Sequence, residues 1–360
     1  MLYKLLYHFH TEHIIFNVFR YITFRTGLAM LTSFLIVVLF GNWTIKKLRQ
    51  VGAGEVIRED GPSEHKSKAG TPTMGGILLL VSILITTWLW AEVSNIYIWT
   101  VSLVFLGFGI IGLIDDVWKL KTRGKSHKGM TGKVKLLLQI FIGLSVLILM
   151  VRLNGYDFRL WTPFFKDINP DIGVWYLLFA LVVILGASNA VNLTDGLDGL
   201  AIGPVVVVAL TYTVFAYIGG RSDYTEYLRL AYVPGAGELC IFTGAMAGAG
   251  LGFLWFNSYP AEVFMGDVGS LSLGSGIGAV AVICKQEFAL LIVGGLFVLE
   301  AISVILQVGS YKLTRKRIFL MAPIHHHFEK LGWKEPKIIV RFWIIQIILA
   351  LFALSTIKLR

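Results

Sequence analysis

Residues 97–119 read YIWTVSLVFLGFGIIGLIDDVWK: an uncharged run over 97–114, then two adjacent carboxylates, Asp115 and Asp116, and a lysine. The run approaches the roughly 20 apolar residues that a membrane-spanning helix needs. Barrel strands would instead alternate over about ten residues. Comparable runs lie at about 27–45, 74–91, 134–151, 173–191, 200–218, 238–256, 268–284, 287–308 and 339–357. Together they predict an all-α integral membrane protein, a bundle of about ten transmembrane helices. Run 268–284, VGSLSLGSGIGAVAVIC, is short and rich in Gly and Ser, which predicts a place inside the bundle.

Composition agrees. The 360-residue chain is 56% hydrophobic and 15% charged, where a soluble domain has about 45–50% and about 25%. A net charge of +10 suits an anionic ligand or an anionic leaflet of the lipid bilayer. The basic residues are spread over separate loops, which argues against nucleic acid. Cys240 and Cys284 fall in apolar runs and read as buried filler. Residues 1–24 lack the clean apolar centre of a signal peptide and are expected to form an interfacial helix lying on the periplasmic side. No soluble domain interrupts the chain, so 1–360 reads as one polytopic domain.

Lys and Arg favour the segments at about 46–72, 115–135, 186–199, 257–267 and 309–341 by about two to one. These are therefore expected in the cytoplasm, with both termini periplasmic. Asp115, Asp116, Asp195, Asp198 and Asp267 all fall in this set, as do His325, His326 and His327. A carboxylate near hydrocarbon is costly and persists where it has a partner, a wet cavity or a task.

Three motifs carry these aspartates. In IDDVWK the two carboxylates are about 100° apart on a helix and need not share a role. They form either a solvated pair matched by Lys119 and Lys121 or a pair that handles metal and phosphate. In NAVNLTDGLDGL, Asn189, Asn192, Asp195 and Asp198 recur every three residues, with Leu197 between Gly196 and Asp198. Gly196 and Gly199 permit close backbone approach to a ligand. Oxygen donors of this kind suit a hard cation such as Mg²⁺ rather than zinc. In FMGDVGS, Asp267 precedes a small-residue helix and is either part of a phosphate site or a helix cap. Phe264 there is either core packing or a platform for a base.

Basic partners come from SKAGTPTMGG (Lys68, beside Thr73), GKSHKGMTGKVK (Lys125, Lys128, Lys133) and MAPIHHHFEKLGW. Three consecutive histidines cannot all ligate one ion; a single imidazole on a phosphate, or one acting as acid or base, is more economical. Carboxylates for Mg²⁺, cations for phosphate and glycines for backbone approach, all at a membrane edge, point to phosphoryl transfer involving a lipid.

In this order the motifs resemble the polyprenyl-phosphate N-acetylhexosamine-1-phosphate transferases, and MAPIHHHFE resembles their muramoyl branch. The resemblance implies transfer of phospho-N-acetylmuramoyl-pentapeptide from UDP-N-acetylmuramoyl-pentapeptide to undecaprenyl phosphate, giving lipid I and UMP. It further implies Mg²⁺, a site open to the cytoplasm, the bacterial inner membrane and a homodimer. By motif, Asp267 would be the principal Mg²⁺ ligand, with Asp115, Asp116 and Asp195 around the metal and phosphates. Catalytic roles would fall to Asp115, Asp116, Asp267 and His325–His327. Asp198, Asn189 and Phe264 would frame uridine, in a substrate-binding set that includes Asn192, Gly196 and Leu197. Lys68, Thr73, Lys133 and Gln307 would complete it. Direct attack by the lipid phosphate is favoured over a covalent phospho-sugar intermediate. The alternatives are an N-acetylglucosamine-1-phosphate transferase and, more distantly, an ion-coupled transporter, which should show inverted repeats and mid-span carboxylates.

Overall fold

The computed structural model describes residues 2–54, 70–122, 129–162 and 168–358. Its helices are α1 (Leu2–His8), α2 (Ile22–Gln50), α3 (Gly76–Trp90), α4 (Ile96–Lys121), α5 (Gly132–Asn154), α6 (Trp175–Thr194) and α7 (Ile202–Gly219). They continue with α8 (Ser222–Leu228), α9 (Leu239–Asn257), α10 (Gly266–Ile283), α11 (Glu287–Val293), α12 (Gly295–Thr314), α13 (Ile324–Lys330) and α14 (Glu335–Ser355). Among the described residues there is no strand, only the single-residue bridges Gly54–Pro72 and Arg159–Asp171.

Nine helices among the described residues are long and apolar enough to cross a membrane, one fewer than the sequence predicts. The run at 74–91 yields the 15-residue α3. Its start is fixed by the connection before α10: the amides of Gly75 and Gly76 donate to the carbonyls of Phe264 and Met265, both at 2.9 Å. The run at 287–308 is likewise not one helix, because it divides at Gly294 into α11 and α12. The carbonyl of Val293 at this break accepts from the Gln346 side chain on α14. Hydrocarbon tolerates interrupted backbone only where a neighbour satisfies it in this way.

The N-terminal segment also differs from the single helix expected over 1–24. After α1 the chain forms two 3₁₀ segments, Phe9–Thr11 and Ile14–Arg20. Long-range contacts shape it. Lys4 pairs with Glu92 at 2.8 Å. Phe19 stacks on Trp90, and the Arg25 guanidinium lies 4.2 Å from the Tyr3 ring centre. Arg25 is buried and bonds both oxygens of Glu238, at 2.9 and 2.6 Å, tying the start of α2 to the start of α9. This two-pronged, charge-assisted geometry is the strong form of such a pair.

The bundle has an inner layer. α10 is 89% buried over its apolar window and α9 83%, against 22% for α12. α10 packs on α3, α4 and α6, and α9 on α2 and α7. Small residues make this possible, as the Gly/Ser composition predicts: a Cβ at Gly274 would lie 2.5 Å from the Ala187 carbonyl oxygen. The buried Ser188 hydroxyl donates to the Leu271 carbonyl at 2.9 Å, so close packing leaves it satisfied.

Candidate active site

The crossing of α4 and α10 creates the site. At Gly112 any Cβ would overlap the backbone of Asp267, so the two helices meet main chain to main chain. One turn further on, α4 presents Asp115 and Asp116 to the beginning of α10. α4 runs on to Lys121, so both carboxylates stand within its final turns, 1% and 4% exposed, rather than at its terminus. Asp115, Asp116 and Asp267 each offer an oxygen within 4.8 Å of the others. The structure thus unites the two neighbours that sequence spacing leaves free to take separate roles.

Three carboxylates this close repel unless cations stand between them. Lys119 and Lys135 do so. Lys119 Nζ lies 2.9 Å from Asp115, 3.4 Å from Asp116 and 3.1 Å from Asp267. Lys135 Nζ bridges Asp115 at 2.8 Å and Asp267 at 2.5 Å. Backbone amides complete the shell: Met130 donates to Asp115 at 2.5 Å and Val268 to Asp116 at 3.1 Å. Asp267 therefore acts on the cluster and not as a helix cap. The amide of Val268, in the first turn of α10, is engaged by Asp116.

Lys135 is absent from the residues singled out in the sequence, where Lys133 stands for this loop. Two residues apart on a helix means about 200° of rotation. With α5 beginning at Gly132, Lys133 is exposed and Lys135 turns inward. The point where the helix begins decides this, and the spacing of lysines does not reveal it. Lys68, Lys125 and Lys128 lie outside the described residues.

The 195–200 loop forms a wall against α13. Asp195 follows α6 and is not in the group of three carboxylates, unlike the four-aspartate ligand set implied by motif. Asp198 is buried, and its carboxylate accepts from the Ala261 amide at 2.9 Å while its own amide donates to Glu335 at 2.9 Å. Leu197 is core, packed with Leu200, Leu296, Ile338, Ile339 and Phe342. The Asn189 side-chain amide donates to Gln139 at 3.0 Å and to the Leu185 carbonyl at 2.8 Å. Asn192, half-buried, accepts the Asp195 amide on its carbonyl at 3.3 Å. Asp198 thus holds the wall together, and Asn189 ties α6 to α5, through bonds within the protein.

His325 meets this wall: a Cβ at Gly196 would collide with its Nε2. The three imidazoles have three different partners. His325 Nδ1 lies 3.1 Å from Glu300, His326 Nδ1 lies 2.6 Å from Glu329, and His327 Nδ1 accepts from the Leu320 amide at 3.2 Å. They do not converge on a common point. Gln307 pins the chain after α12, donating to the Phe319 carbonyl at 3.0 Å and accepting from the amides of Ile318 and Phe319. Phe264 is half-buried and anchored through its backbone to Pro72 and Gly75. Thr73 reaches the cluster edge, because the open side of Gly266 (φ +73°) faces both Thr73 Oγ1 and Asp116 Oδ2.

A hard divalent cation fits the three carboxylates: oxygen donors, high charge density and two flanking ammonium groups that already show the need for positive charge there. Gly112→Ala should disturb this arrangement through the Asp267–Val268 backbone while leaving every polar side chain of the site chemically unchanged. Overpacking costs about 1–3 kcal/mol, and a displacement of about 1 Å in a reacting group costs about 10²-fold in rate. Thermal unfolding and turnover measured together check this, since wild-type turnover would mean the helix crossing does not set the site.

Residues 98–285 match the model of glycosyl transferase family 4. Residues 68–80 match signature 1 of the phospho-N-acetylmuramoyl-pentapeptide-transferases. Full-length relatives with that name come from Citrifermentans bemidjiense, Geobacter sp. strain M21 and Pelobacter propionicus, each 56% identical with 100% of both chains covered. The chain belongs to the phospho-N-acetylmuramoyl-pentapeptide-transferase family.

Proposed function

We propose that the chain transfers phospho-N-acetylmuramoyl-pentapeptide from its UDP carrier to undecaprenyl phosphate, releasing UMP and making lipid I. The observation that carries this reading is the cluster of Asp115, Asp116 and Asp267 with Lys119 and Lys135 between them, at the ends of helices long enough to span a bilayer. Mg²⁺ held by the three carboxylates would supply charge neutralisation for the diphosphate. An oxygen of the lipid phosphate attacks the β-phosphorus, the bond to the bridging oxygen breaks, and UMP departs with that oxygen. A phosphate monoester has its second pKa at about 6, so the acceptor is already largely ionised and needs positioning more than a base. Asp115, with both oxygens engaged, holds Lys119 and Lys135 where the phosphates enter. Trapping a phospho-sugar adduct on Asp115 or Asp116 would overturn direct attack.

The signature at 68–80 and the MAPIHHHFE segment favour the muramoyl donor over UDP-N-acetylglucosamine. The test is a radiolabelled assay in detergent with each donor, with and without Mg²⁺. Label should enter the lipid fraction only from the muramoyl donor and only with divalent cation. Incorporation from UDP-N-acetylglucosamine would redirect the assignment. The same reading puts the chain in the bacterial inner membrane, as a homodimer, with this site on the cytoplasmic side.

A further inference from the structure

Glu300 is fully buried on α12, within a helix long enough to span the membrane. A carboxylate in such a place marks a task or a partner. Its one neighbour at ion-pair distance among the described residues is His325, whose Nδ1 lies 3.1 Å from Oε1 and whose side chain is 1% exposed. Neither Glu300 oxygen and neither ring nitrogen of His325 makes a hydrogen bond there, so the two buried groups have each other at ion-pair distance and nothing nearer. That nitrogen faces Gly196, where only a glycine leaves room for the ring. α12 and the 324–330 helix thus meet at a carboxylate–imidazole contact whose far side is Gly196.

We propose that Glu300 is a positioning residue for the transfer reaction: it takes the Nδ1 side of His325 and so holds Nε2 toward the substrate at Gly196. A carboxylate on one ring nitrogen fixes both the orientation and which nitrogen carries the proton. Here the choice has a direction. With Nδ1 turned to Glu300, Nε2 is the atom left to meet a phosphate or sugar oxygen beside Asp195 and Gly196. The proposal rests on the assignment of His325 to substrate contact, and its test separates the two.

Burial supplies the discriminating readout. Replacing both members of a buried pair by apolar groups is often neutral or stabilising, whereas removing one member destabilises. A merely structural Glu300 would therefore lower the thermal midpoint in Glu300→Met and leave turnover per folded protein unchanged, whereas a positioning Glu300 would lower that turnover as well. Glu300→Met, Glu300→Gln, His325→Ala and the double variant Glu300→Met/His325→Ala are to be purified in detergent and assayed for turnover and thermal midpoint. The expected result for Glu300→Met is a turnover per folded protein at least tenfold lower, whatever the fall in thermal midpoint. Glu300→Gln, which keeps an oxygen acceptor for Nδ1, should recover part of that loss. The double variant should be no slower than His325→Ala alone. Multiplying losses in the double variant, or wild-type turnover in Glu300→Met, would overturn the proposal. Wild-type turnover in His325→Ala would instead remove the substrate role of His325, and with it the reason for positioning.

Discussion

Asp267→Asn is expected to lower turnover on the order of 10³-fold, the upper end of what loss of one electrostatic stabiliser costs, while the protein still folds. The exchange is nearly isosteric, so packing against Gly112 is unaffected. What changes is charge. Asp267 is the carboxylate shared by both ammonium groups, 2.5 Å from Lys135 and 3.1 Å from Lys119. It is also the cluster member most open to incoming ligand, with 14% of its side chain exposed against 2% and 4% for Asp115 and Asp116. Without it, a cation would meet two buried carboxylates and no accessible third. Turnover across a Mg²⁺ titration, alongside gel filtration of the purified variant, checks the prediction. Mg²⁺-dependent activity near that of the parent chain would refute a ligand role for Asp267.

Lys135→Met is expected to reduce kcat/KM by about 10²-fold, comparable to losing one preorganised electrostatic contact, and to tighten binding of divalent cation. The two effects have one origin. Removal of the ammonium leaves Asp115 and Asp267 facing each other with only Lys119 between them. Two like charges at that range raise the demand for a cation. Mg²⁺ meets that demand but does not restore a donor to the phosphates. The Mg²⁺ dependence of the thermal midpoint reports the first effect and steady-state kinetics the second. Recovery of full kcat/KM at saturating Mg²⁺ would reduce Lys135 to a filler of charge.

Spanning helices were legible because hydrocarbon imposes a length and an apolarity that a local stretch of sequence must satisfy by itself. The interior place of α10 was legible for the same reason, since Gly and Ser along 268–284 serve close packing. Two boundaries were not. α3 is cut short where the Gly75 and Gly76 amides donate to the carbonyls of Phe264 and Met265, and the α11–α12 break is made tolerable by Gln346. Both depend on groups far away in the chain.

Among site residues, the motifs marked Asp115, Asp116 and Asp267 because each is an acid at the edge of an apolar run. They marked Asp198 equally, yet its carboxylate lies on the Ala261 amide. A motif records that a residue is required and does not distinguish a bond to ligand from a bond to protein. Lys135 went unnoticed because a second lysine in a basic loop does not stand out locally; Glu300, an acid inside an apolar run, does carry a local signal, and only its pairing with His325 lies beyond the reach of the sequence.

From the residues alone came the membrane class, the chemistry of hard oxygen donors with phosphate-binding cations, and the family the motifs resemble. These follow from composition and short-range pattern, which every residue carries with it. The tertiary structure alone chose which acids gather, which lysine stands between them and which nitrogen of His325 faces Gly196. Those choices arise where α4, α5 and α10 cross and where α12 meets the 324–330 helix, and a contact between distant segments has no local imprint in either one.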